Sequence, residues 1–289
     1  MDLIINLVIN GLATGMLIFL LASGLTLIFG LMSVLNFAHG GLFIWGAFTG
    51  VWAYQTSGSF TLGIGVAIVT GLVLGVITEK LIVRPVYGNH IQQILITLGF
   101  MLVLQEFIKV VFGPNQKAVF PPAFLEGSFI VGDIVFIKYR IFIIIVGLLV
   151  FMVASYILRR TRIGLIVRAG VMDKEMIQTL GVNIKVIFMS VFMIGSALAA
   201  LSGMLHAPYS GVIYAEMGLE FSILAFIVVV IGGMGSFTGS MLAALLVGLA
   251  QAFMAYYFPA LSLAVNMILM TIVLIFKPQG LFKVEGGAR

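Results

Sequence analysis

LIINLVINGLATGMLIFLLA, residues 3–22, carries no charged side chain. A helix crossing a bilayer needs roughly 20 mostly apolar residues, each contributing about 1.5 Å of rise. This stretch supplies them. Working outward along the chain, the pattern returns at 62–81, 91–112, 141–158, 186–206 and 260–276. Two longer apolar stretches, 24–54 and 221–257, are interrupted by glycines. Hydrophobic residues make up 62% of the chain and charged residues 9%, where soluble domains carry about 25% charge. Lipid cannot satisfy backbone N–H and C=O groups, so so apolar a chain must close its hydrogen bonds within helices. The reading is an all-α polytopic membrane helix bundle, one domain over 1–289, with about eight to nine transmembrane segments and glycine-broken or re-entrant helices. The polar connections, 113–140 and 159–185, are too short to bury cores of their own. The first residues lack a basic n-region and a small-residue cleavage site, so the first helix is expected to be retained.

Charge orients the bundle. Lys80, Arg84, Arg159, Arg160, Arg162, Arg168, Lys174, Lys185, Lys277, Lys283 and Arg289 fall on one face, against Lys109, Lys117, Lys138 and Arg140 on the other. Basic residues collect in cytoplasmic loops. The bias therefore makes 159–185 cytoplasmic and 113–140 the outer loop, with the N-terminus outside and the C-terminus inside. Splitting 221–257 at GGMGSFTGS gives nine crossings; a re-entrant segment gives eight. The net charge of +5 reads as this topology signal and not as a nucleic-acid surface.

The stretch 159–185 holds six of the fifteen Lys and Arg. Within it Asp173 suits an N-cap, Lys174 to Leu180 can form about two helical turns, and Gly181 suits a C′ position. Met176, Ile177 and Leu180 then share one apolar face. So short a helix is marginal in water unless that face is covered.

Several chemistries are missing. No phosphate-binding loop of the G-x-x-x-x-G-K-[ST] type occurs, and no Gly-Lys dipeptide exists. Catalytic residues are not expected, nor is a metal site: cysteine is absent and His39, His90 and His206 are scattered. Ion-coupled carriers place ionisable groups deep in their helices. Here Glu79 and Lys80 close one helix, and Glu106 and Lys109, spaced i, i+3, sit near the outer end of another, which disfavours ion coupling. Asn36 and His39 would share a face if helical, next to Gly40 and Gly41. They can either hold backbone groups freed at a helix break or line a solute path. Gly232, Gly233 and Gly235, with Ser236, pose the same choice, and their clustering marks a break. The two glycine-broken stretches resemble each other loosely, without establishing a repeat.

RAGVMDKEMIQTLGVN (168–183) resembles the cytoplasmic coupling segment of permease subunits in ABC importers of branched-chain amino acids, through Arg168-Ala169, Asp173 and Leu180-Gly181. NFAHG at 36–40, Glu79 with Arg84-Pro85-Val86, GGMGS at 232–236 and KPQGLF at 277–282 resemble further motifs of that family, in the same order. The resemblance implies a bacterial inner-membrane importer in which Met176, Ile177 and Leu180 dock on an ATPase. It implies as partners a second related permease chain, two ATPases carrying the ATP and Mg, and an external solute-binding protein. This chain itself is expected to bind no cofactor. It departs from the family pattern at Gly41, Thr238, Gln251, Ile18 and Ile177, which leaves the solute less fixed than the machine. Branched-chain or related hydrophobic amino acids come first, with urea or short amides as the alternative cargo and an ion-coupled carrier as a more distant reading.

Overall fold

The computed structural model describes residues 2–132, 134–172, 183–262 and 264–282. Its helices are α1 (Asp2–Met32), α2 (His39–Ser57), α3 (Phe60–Ile77), α4 (His90–Phe112), α5 (Lys138–Arg160), α6 (Arg162–Met172), α7 (Ile184–Ser210), α8 (Met217–Gly232), α9 (Phe237–Tyr257) and α10 (Val265–Phe276). Six spans are long and apolar enough to cross a membrane: Leu3–Met32, Phe60–Val86, His90–Phe112, Lys138–Arg160, Ile184–Ser210 and Phe237–Tyr257. Three shorter helices, α2, α8 and α10, complete a bundle of the expected kind. The apolar stretch 260–276 is helical only from Val265.

The centre is built from α1, α2, α7 and α9, whose large side chains Phe19, Phe43, Phe48 and Phe192 are fully buried. Glycines set how closely the helices approach. A Cβ on Gly195 would lie 2.8 Å from the Gly24 carbonyl, and one on Gly15 would lie 2.9 Å from the Leu245 backbone. Around this centre, α3, α4 and α5 present Val69, Val73, Leu95, Leu102, Leu149 and Met152 outward, the apolar surface that lipid requires.

The two halves of the chain repeat one arrangement, inverted. In each, a long helix ends at a residue of positive φ (Ser33 at 55°, Gly211 at 79°). Each long helix is followed by a non-helical segment, 33–38 or 211–216, and then by a helix that starts near mid-depth, α2 or α8. Gly40 and Gly218 occupy equivalent places and face each other: a Cβ on Gly40 would collide with the Gly218 carbonyl, and one on Gly218 would lie 3.0 Å from the Gly40 carbonyl oxygen. The first helix of each half packs on the third helix of the other, α1 on α9 and α7 on α3. The pairing joins NFAHG to 211–218, and not to the 232–240 cluster that its sequence loosely resembles.

Most of the described connections gather at two ends. One carries Lys80, Arg84, Arg159, Arg160, Arg162, Arg168, Lys185 and Lys277, and is called the basic end below. At the opposite end β1 (Lys117–Ala118) pairs antiparallel with β4 (Val212–Ile213), while β2 (Ser128–Val131) and β3 (Ile134–Ile137) form a hairpin. The segment 159–172, read from sequence as part of a polar loop, is helical: α5 runs to Arg160 and α6 follows at once. Val167 of α6 enters a second apolar cluster with Ile28, Val83, Phe188 and Phe192, which gives the amphipathic helix a buried face.

Candidate functional site

Asn36 lies before α2 and not on it, so it does not share a helical face with His39. Its side-chain oxygen accepts from Ala38 N at 3.1 Å, and His39 Nε2 donates to the Leu21 carbonyl at 2.9 Å. Phe37 N donates to Thr97 Oγ1 at 3.2 Å. Gly40 N donates to Ser222 Oγ, which donates in turn to the Phe37 carbonyl, both at 2.8 Å. Backbone groups freed at the break are thus held by Asn36 and by side chains of α4 and α8, as burial in an apolar medium demands. Two buried side-chain nitrogens stay without partners here, Asn36 Nδ2 and His39 Nδ1. Gly41 packs on Leu104 and Met101 of α4.

The second predicted group lies elsewhere. Gly232 abuts Gly239, Gly233 (φ 98°) faces the Phe282 carbonyl, and Gly30 packs on Gly235 (φ 92°). Ser236 caps α9 by accepting from Gly239 N at 3.1 Å. Leu281 N and Phe282 N close onto the carbonyls of Ile231 and Gly232. These residues form a turn that anchors 277–282 at the basic end. Gly235 sits beside Gly30 and His39 beside Leu21, about 13 Å apart along α1 at 1.5 Å per residue. The structure does not bring the two groups together.

Next to the first break, a cleft of about 420 Å³ opens between α1, α7, α8, α9 and α10. Thr14, His206, Glu220, Gln251 and Asn266 give it polar walls; Leu17, Ile18, Phe221, Leu224, Ile227 and Met267 give it apolar ones. Its volume lies in the ~300–1,000 Å³ range of small-molecule sites. Phe221 joins it to the break, with its ring 4.5 Å from Phe43 and 4.6 Å from His206. Thr14 and Ile18 lie about 18 and 24 Å along a helix about 46 Å long, so the cleft is at membrane depth.

Sequence reasoning missed Glu220, which it left in the connection between 186–206 and 221–257. The structure puts it in the first turn of α8, whose next turn is buried against α2. The signal was available: Glu216 and Glu220 are i, i+4 around Gly218. Glu216 pairs with Lys109 at 2.8 Å, and Lys109 also meets Glu106 at 2.9 Å. That second contact is the expected i, i+3 pair.

At the basic end, Thr78–Val83 extend α3 as a π-helix. Glu79, fully buried, accepts from Tyr87 Oη at 2.7 Å and lies 3.5 Å from Arg84 Nε. Burial, and then Glu79, push the Tyr87 hydroxyl well above the ordinary tyrosine pKa, keeping it a donor. Of the expected coupling residues, Arg168 is exposed on α6 with its Nε 3.4 Å from the Gly164 carbonyl, and Ala169 is half-buried beside it. Asp173, Met176, Ile177, Leu180 and Gly181 lie outside the described residues.

Comparison with known proteins agrees with this architecture. A profile of the family described as branched-chain amino acid transport system / permease component matches residues 7–277. The high-affinity branched-chain amino acid transport system permease protein BraD of Pseudomonas aeruginosa is 31% identical, over 94% of each chain. Its counterpart LivH of Escherichia coli K12 is 28% identical, over 94% of this chain and 93% of its own. LivM of the same organism, another permease protein of such a system, is 28% identical over 92% of this chain and 68% of its own. No solved structure matches significantly. With a profile match covering nearly the whole chain and a 31% identical relative of the same length class, the chain belongs to the permease component family of branched-chain amino acid transport systems.

Proposed function

We propose that this chain is one permease subunit of an ATP-driven importer of branched-chain or related hydrophobic amino acids in a bacterial inner membrane. The similarity to BraD and LivH along the whole chain carries this reading. The similarity to LivM supports a second, related permease chain beside this one. The chain has no phosphate-binding loop, so ATP and Mg are held by two separate ATPases, and an external protein delivers the solute. The basic end faces the cytoplasm. The segment 168–181 docks on the ATPases through Met176, Ile177 and Leu180; it follows α6, which is anchored in the bundle by Val167. The cleft beside the first break provides the solute path. Cycling of the ATPases alternates its access to the two sides.

The test is to express the chain with its neighbouring subunits, purify the complex and measure ATP-dependent leucine uptake into proteoliposomes. Met176→Asp or Leu180→Asp should release the ATPases and abolish uptake while the permease still inserts. Wild-type uptake with the ATPases attached in both variants would remove the docking assignment. A wild-type complex that recruits no ATPase would remove the importer reading.

A further inference from the structure

The geometry points to the cleft between α1, α8 and α10 as an ammonium-recognition site, with Glu220 as its anionic group and Asn266 as a second acceptor. The inference rests on the importer reading and names the part of the solute that this chain would recognise. Glu220 is exposed and lines the cleft, so a cation entering the cleft can reach its carboxylate. Glu216, one turn earlier, has its cation in Lys109 at 2.8 Å. Among the described residues Glu220 has no Lys or Arg within 4 Å; its oxygen Oε2 accepts from Tyr214 Oη at 3.3 Å and otherwise faces the cleft.

A second observation comes from the opposite wall. Asn266 lines the same cleft, and its side-chain oxygen Oδ1 is buried without a hydrogen-bond partner. A buried acceptor without a donor is costly, so it favours a ligand that supplies one. An ammonium group is all donors and no acceptor, and it satisfies a carboxylate and an amide oxygen together. Leu17, Ile18, Leu224, Ile227 and Met267 line the remaining walls and suit a branched aliphatic side chain. Glu220 is the one carboxylate among the residues that line the cleft.

The chain has no cysteine, which makes a direct binding experiment clean. Ile223 lines the cleft and is 38% exposed. In the purified complex, Ile223→Cys is labelled with a small thiol reagent in the presence of leucine, isoamylamine (no carboxylate) or isocaproate (no ammonium). Leucine and isoamylamine should slow labelling and isocaproate should not, while Gln116→Cys in the far loop should be unaffected. Adding Glu220→Gln should abolish protection, and Glu220→Asp should restore part of it. Isocaproate protecting as well as isoamylamine, or full protection in Glu220→Gln, would overturn the assignment. Loss of the permease pair in Glu220→Gln would overturn it too, because the carboxylate would then belong to the subunit interface. Leucine uptake, followed in parallel, separates the two levels. Uptake without protection removes the site and leaves the importer. Protection without uptake keeps the site and removes the importer.

Discussion

Gly24→Ala tests a close helix contact at the middle of the bundle. A Cβ at Gly24 would collide with the Gly195 carbonyl oxygen and lie 2.9 Å from its carbonyl carbon and 3.0 Å from the Gly195 Cα, and these are backbone atoms that cannot rotate away. Ordinary carbon–carbon contact is about 3.5–4.0 Å, so α1 and α7 must separate by roughly 0.5–1 Å locally. Overpacking of this kind costs about 1–3 kcal/mol. About two turns away, the Ser202 to Leu17 hydrogen bond (2.8 Å) crosses the same pair of helices. Gly65 is the internal control. It lies in α3 with no atom within 4 Å of its Cβ position, so Gly65→Ala should be neutral or gain about 0.5–1 kcal/mol from reduced backbone freedom. Thermal unfolding of the two variants in detergent, followed by fluorescence-detected gel filtration, should lower the apparent Tm of Gly24→Ala by several degrees and leave Gly65→Ala unchanged or higher. Equal Tm values would refute the close approach of α1 and α7 and, with it, the inverted arrangement built around that contact.

Two further expectations follow from geometry at the ends. A cysteine replacing Gln116 should react with an impermeant thiol reagent added outside intact cells, and one replacing Arg162 only after the membrane is opened; the opposite pattern inverts the topology. Glu79→Ala strands the Tyr87 hydroxyl and should cost about 1–3 kcal/mol in the same unfolding assay. Glu79→Gln, which keeps an acceptor, should fall between it and wild type; identical behaviour of the two variants would mean that the hydrogen bond contributes nothing.

Apolar run length made the long helices legible, because a bilayer imposes a minimum length and hydropathy records it. The breaks were half legible. Gly40-Gly41 and GGMGS announced themselves as glycine clusters in apolar sequence. The segment around Gly211 and Gly218 did not, since APYSGVIYAEMGLE reads as an ordinary connection and its depth depends on tertiary packing against α2. Glu220 was lost with it. Asn36 was given a helical spacing that the positive φ of Ser33 rules out, because α1 has ended four residues earlier. The π-turn at Thr78–Val83 left no pattern to read: it depends on how α3 meets α4, which periodicity along one strand of sequence does not encode.

The inverted relation between the halves bears on how this chain enters a membrane. Two units with equivalent helices lying in opposite directions give an insertion machinery opposite instructions from hydropathy alone. The information that fixes one outcome must therefore come from residues the halves do not share. Arg159, Arg160, Arg162 and Arg168, half of the basic residues described at that end, sit on the connector between the halves, at the end of α5 and on α6. Positive charge near the ends of membrane segments orients them. The connector thus has a part in biogenesis: by gathering arginines at one end only, it breaks the symmetry of a nearly reversible fold.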